Sequence, residues 1–271
     1  MTLLAGIWTS FRVVEKEESM AIQYSIALRA QFREAGLHEG LISHLDKLTA
    51  SWRPGDRVNE ATTRLRSSHG AEILLRRAQT RRNESPNLIV SRRYFRNVES
   101  DLVRLANPQN RIDIELCMRV QYSEPAFTVT IPCEVVRICS ALGASVDLDA
   151  YRVLGERVDE EPEYESPAVA VGTKGLSFAA GSVGQVAYVP GAVVTRREEL
   201  VGGYFGQHLA SLSADLGPYE RGIRVLGALH EVTLWCRSRG GWGRPNAVIT
   251  ASQVQALARF NASIELQVSY D

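Results

Sequence analysis

The residues with the most chemistry to offer are arginines. Nine of them stand between Arg64 and Arg96, at positions 64, 66, 76, 77, 81, 82, 92, 93 and 96, opposed within that stretch only by Glu72 and Glu84. A guanidinium is a planar fork of donors that matches a carboxylate or a phosphate with two parallel hydrogen bonds. The stretch therefore reads either as a docking face for an acidic protein surface or nucleic acid, or as a solvated loop and strand edge. No aromatic lies between Arg64 and Arg93, which argues against recognition of single strands by base stacking. Tyr94 and Phe95, at its end, read as core. Arg76, Arg77, Arg81, Arg82, Arg92 and Arg93 are assigned to the docking face, with Trp52 and Trp242 as aromatic anchors. Trp242 sits in Arg237-Ser-Arg-Gly-Gly-Trp-Gly-Arg244. That is the composition of a binding hot spot, or of a hairpin whose tryptophan folds back onto its sheet.

Other chemistry is weaker. Cys133 follows Pro132 at a predicted helix start, where the helix N-terminus would lower a thiol pKa. An internal repeat described below puts Ala251 at the equivalent place, and no catalytic residue is assigned. The five histidines (His38, His44, His69, His208, His230) show no His-x-x-x-His pair and the four cysteines no Cys-x-x-Cys, so no metal is expected. Gly172-Thr-Lys-Gly175 and Gly181-Ser-Val-Gly184 lack the residue order of a phosphate cradle and read as turns. Glu134, Asp147 and Asp149 are separated by a helix, and by alternation the two aspartates fall on the solvent face of a strand, which argues against a catalytic carboxylate pair. An enzyme would instead need His38, His44, Asp56 and Glu72 to converge in a concave pocket.

These residues must be held by a folded chain. With 271 residues, 45% hydrophobic and 23% charged, the composition is that of a globular protein long enough for one large domain or two small ones. Lys+Arg and Asp+Glu both number 31, so attraction to nucleic acid or an anionic membrane has to be local. No run of about 18 apolar residues is present to cross a bilayer. Met1 to Trp8 is too short for a signal-peptide core and lacks preceding basic residues, so no signal peptide is expected. Residues 1–19 read as an extension, and four unpatterned cysteines as reduced thiols in the cytoplasm.

Self-comparison reveals a repeat at an offset of 118. Asp113-Ile-Glu-Leu-Cys-Met-Arg119 lies over Glu231-Val-Thr-Leu-Trp-Cys-Arg237, and Ile131 to Leu148 over Ile249 to Leu266 without a gap. The shared pattern is strand, loop, helix, strand. Val136, Cys139 and Leu142 match Val254, Leu257 and Phe260 as an apolar helical stripe. Gly143 faces Asn261, the two residue types that most readily take the left-handed conformation past a helix end. Gly155 to Pro167, with six acidic residues and two prolines, is the expected linker. The upstream strand Ala21–Phe32 and helix Leu37–Leu48 belong to the first copy, and the glycine-rich 169–184 marks the second as degenerate. The fold class is α+β: two tandem modules (20–154 and 168–271), each a mostly antiparallel sheet with helices on one face.

Three stretches carry a family resemblance: Tyr24-Ser-Ile-Ala-Leu-Arg29, Trp52-Arg-Pro-Gly-Asp56 and Ile138-Cys-Ser-Ala-Leu-Gly-Ala-Ser-Val-Asp-Leu-Asp-Ala-Tyr151. They resemble a family of small bacterial domains of unknown function, whose members are similar to immunity-type proteins encoded near secreted toxins. The resemblance covers residues 20–151 and, less fully, 205–270, where the Trp-x-x-Gly-Asp turn is missing. It implies a cytoplasmic binding protein and carries over no catalytic residue. The expected function is thus a non-enzymatic, cofactor-free immunity-type inhibitor that occludes a toxin-like partner protein. A nucleic-acid-binding regulator using the arginine stretch, or an enzyme of unrecognised type, are the alternatives.

Overall fold

A computed structural model of the chain describes residues 20–58, 65–81, 87–106, 112–122, 126–152, 168–173, 176–181, 185–188, 193–195, 213–214, 216–229, 232–239 and 246–269. The chain is α+β, built on two mixed sheets that share one hydrophobic core.

The first half contributes β1 (Met20–Phe32), α1 (Ala35–Ile42), β2 (Ala50–Trp52), β3 (His69–Arg81), β4 (Asn87–Ile89), α2 (Arg93–Arg96), α3 (Glu99–Leu105), β5 (Ile112–Tyr122), β6 (Ala126–Ile131), α4 (Cys133–Leu142) and β7 (Ser145–Arg152). The second contributes β8 (Ala168–Thr173), β9 (Leu176–Gly181), β10 (Gln185–Tyr188), β11 (Val193–Thr195), α5 (Glu220–Leu229), β12 (Val232–Arg239), β13 (Asn246–Ile249), α6 (Ala251–Ala258) and β14 (Ser263–Ser269). Among the described residues no helix is long and apolar enough to cross a membrane.

The first sheet runs β13-β7-β5-β1-β3-β2. The second runs β10-β9-β8-β12-β14-β6-β4, with β11 beside β8. The 118-residue offset holds at the level of elements: α4 and α6 begin at 133 and 251, β7 and β14 at 145 and 263. In each copy the first and last strands pair in parallel, β5 with β7 and β12 with β14. The strand between them leaves for the other sheet. β6 pairs antiparallel with β14, and β13 pairs antiparallel with β7. Each stretch therefore completes the sheet of the other, and the apolar faces close on one core. The segment 155–167 read as a linker lies outside the described residues, as do 1–19.

Local chemistry explains the element ends. Gly143, at the C-cap of α4, has φ +63°, and Asn261, after α6, has φ 51°, the left-handed conformations expected of that pair. Thr250 caps α6: its hydroxyl accepts from the Gln253 N–H, while the Gln253 side chain accepts from the Thr250 N–H at 2.8 Å. The Trp52-Arg-Pro-Gly-Asp56 turn is held by the Asp56 carboxylate, which accepts the Arg53 N–H at 2.6 Å, with Gly55 at φ +90°. The expected helix 37–48 stops at Ile42, and the chain then turns beneath the buried Asp101, whose carboxylate accepts the N–H groups of Asp46 and Lys47 at 3.0 and 3.1 Å.

Candidate functional site

Strand β3 (His69–Arg81) decides where the arginines go. Its first residues pair with β2, at Gly70 to Glu72, and beyond Leu74 no described residue pairs with its outer edge. Its inner edge pairs with β1, with one register shift between Met20 and Gln23 and another where Ala27 faces Leu74 but Ile26 faces Arg76. Leu75 is thus an extra residue on the β3 side, a bulge that turns Arg76 from the outer face to the side of the core. There its guanidinium lies 5.9 Å from the Tyr94 ring centroid, and that of Arg93 lies 5.5 Å from the same ring. Arg77, the next strand residue, points to the opposite face.

Arg76, Arg77, Arg92 and Arg93 are all exposed, but they do not form one face. Arg76 and Arg93 gather round Tyr94, which lies at the rim rather than deep in the core. The side chain of Arg81, and all of Arg82 and Trp242, lie outside the described residues. Trp52 is no exposed anchor: it is 8% exposed, its indole packs against Gly70, where a Cβ would overlap the ring, and Arg66 lies 4.3 Å from the ring centroid. The tryptophan is a structural part of its turn.

The outer face of the first sheet, away from the core, carries a second group of polar residues. Residues paired across strands present their side chains to the same face. The pairings set out Glu72, Arg29, Glu115 and Ser145 in one row, Leu74, Ala27, Cys117 and Asp147 in the next, and Arg77, Ser25, Arg119 and Asp149 in a third. In the first row Arg29 binds Glu72 at 2.8 Å. In the middle row Ala27 and Cys117 are small and buried between longer neighbours. One ligand atom from each of Glu115, Cys117 and Asp147 lies within 4.8 Å of the others. Burial raises the pKa of Glu115, and Asp147 raises it further. Burial also raises that of Asp147, reinforced by Asp149, and pushes the Cys117 thiol up to about 12. Asp149 Oδ1 is buried with no hydrogen-bond partner.

No metal-ligand spacing is legible here, because Glu115 and Cys117 are two apart on a strand and Asp147 arrives through a parallel pairing. Their two-residue alternation was the available signal. Cys133 is not an activated thiol: burial, with Glu134 beside it, raises its pKa.

His38, His44, Asp56 and Glu72 do not converge. His38 is buried with its ring 5.0 Å from that of His69 and its Nε2 3.2 Å from the Gly70 carbonyl oxygen. Glu72 is on the outer face with Arg29, and His44 and Asp56 are exposed. A cleft of about 590 Å³ opens at that end of the sheet, lined by Gln31, Arg33, Ser67, Ser68, His69 and Asp113 among others, and none of the four lines it.

No family model, no curated protein and no solved structure matches this chain.

Proposed function

We propose that this is a cytoplasmic, non-enzymatic binding protein of the immunity type, which neutralises a partner protein by covering part of its surface. The observation that supports the reading is the outer edge of β3, which from Leu75 onward meets no described strand and is flanked by exposed Arg76, Arg77, Arg92 and Arg93. An open strand edge offers backbone donors and acceptors to an added strand, and arginines beside it select a segment that carries carboxylates. Arg76 and Arg93, set against the Tyr94 ring, are partly ordered before binding, which reduces the entropy lost on docking. In this reading the repeat at an offset of 118 serves stability: the second copy closes the core, and the described residues leave the β3 edge of the first copy open beyond Leu74.

The test begins with affinity capture at moderate salt and identification of the retained protein. The isolated partner is then titrated against wild type and Arg76→Glu/Arg93→Glu. Losing two charge-assisted contacts should weaken binding by at least about 3 kcal/mol, more than a hundredfold. Unchanged affinity overturns the docking assignment. Retention of nucleic acid in place of protein, lost steeply with added salt, would favour the regulator reading over this one.

A further inference from the structure

We propose that Glu115, Cys117 and Asp147 form a binding site for one divalent cation of the zinc class on the outer face of the first sheet. Glu115 and Cys117 are alternate residues of β5, and Asp147 stands opposite Cys117 on the parallel strand β7. All three therefore project from one face at the centre of a sheet, on backbone that pairing on both sides holds in place.

The Cys117 thiol supplies the independent sign that a ligand belongs there. The residue is 2% exposed and makes no hydrogen bond to any described residue, yet its sulfur lies within 4.8 Å of a carboxylate oxygen of Asp147 in its own row and of Glu115 in the next. A cysteine that merely filled space would need no such neighbours. Of the cations on this face, Arg29 binds Glu72 at 2.8 Å and Arg119 stands opposite Asp149, and neither Glu115 nor Asp147 has a salt bridge among the described residues. Asp149 Oδ1, one position further along the same face of β7, is buried and unpartnered.

The ligand chemistry chooses the metal class. One thiolate with two carboxylates suits zinc or cobalt(II) over magnesium or calcium, which take oxygen ligands alone. Around a tetrahedral zinc, with bonds of about 2.3 Å to sulfur and about 2.0–2.2 Å to oxygen, ligand atoms stand roughly 3.3–3.6 Å apart. From separations within 4.8 Å, that requires closure by about an ångström, within reach of rotamer adjustments in Glu115 and Asp147. Three protein ligands leave the fourth position to water, as in open zinc sites. The site is separate from the β3 edge and stands or falls independently of the docking reading.

The experiment titrates the chelator-treated full chain with cobalt(II) and then displaces it with zinc. One cobalt per chain is expected, with a sulfur-to-cobalt charge-transfer band that vanishes in Cys117→Ser. Asp147→Asn should bind at least about tenfold more weakly. X-ray absorption on the zinc-loaded wild type, which needs no variant to fold, should show one sulfur with the remaining ligands oxygen. Absence of saturable cobalt binding, a band that survives Cys117→Ser, or a zinc shell with several sulfurs or with imidazole would overturn the assignment.

Discussion

If the two repeat copies exchange strands, neither half should fold alone. Separating the chain within 155–167 and producing residues 20–154 by themselves removes Ile249, Val254, Leu257, Phe260, Ile264 and Leu266, each at most 2% exposed in the shared core. At about 1.5–3 kcal/mol per large apolar side chain, their burial stabilises the fold by roughly 9–18 kcal/mol, an upper bound because unfolded chains bury some apolar area. Val129, Ile131 and Val146, buried in the first half, lose cover at the same time, and β7 and β6 lose β13 and β14. The loss is as large as the total stability of a typical domain, about 5–15 kcal/mol. Near-ultraviolet circular dichroism and urea titration provide the assay. The 20–154 fragment should show no cooperative transition, and co-expression with 168–271 should yield a one-to-one complex that does. A 20–154 fragment that unfolds cooperatively with the stability of the whole chain would refute the exchange and restore two independent modules.

Further outcomes follow from four single residues. Gly70→Ala places a Cβ into the Trp52 indole and should destabilise by about 1–3 kcal/mol in denaturant titration, whereas Gly36→Ala in α1, with open space around its Cβ, should stabilise by about 0.5–1 kcal/mol. Gly143→Ala meets no neighbour but must hold φ +63°, so its cost, about 1–2 kcal/mol by the same titration, is conformational alone. Burial holds the His38 pKa below the ordinary imidazole value, against the Gly70 carbonyl that favours protonation. The unfolded chain then binds the proton more readily, so this residue lowers stability as pH falls below about 6.5, until the folded value is passed. Unfolding midpoints at pH 7 and pH 5 should differ less in His38→Gln than in wild type, and an equal difference would contradict the assignment.

Much of this architecture was legible where the signal is local. Gly143 and Asn261 showed themselves as helix stops because few residue types tolerate positive φ, and the alternation in 145–149 and 263–267 placed both final strands. The exchange of β6 and β13 was not legible. Alternating residues report that one face is buried but not which sheet buries it, and that choice is made by contacts more than a hundred residues apart. The arginines were visible and their grouping was not, since it depends on strand alternation and on a bulge at Leu75 that no glycine or proline announces. Trp52 looked like an anchor because a tryptophan in a turn is equally suited to solvent or to the bare backbone at Gly70. Asp147 and Asp149 were read on the solvent face, yet both are half-buried there, among polar neighbours contributed by distant strands.

The direct test of partner docking is backbone hydrogen exchange on the full chain, free and with the captured partner bound. Addition of a partner segment along β3 predicts new protection confined to the outward amides of residues 75–81, with the amides of β2 and β5 unchanged. Protection elsewhere, with residues 75–81 exchanging as in the free protein, would contradict the account.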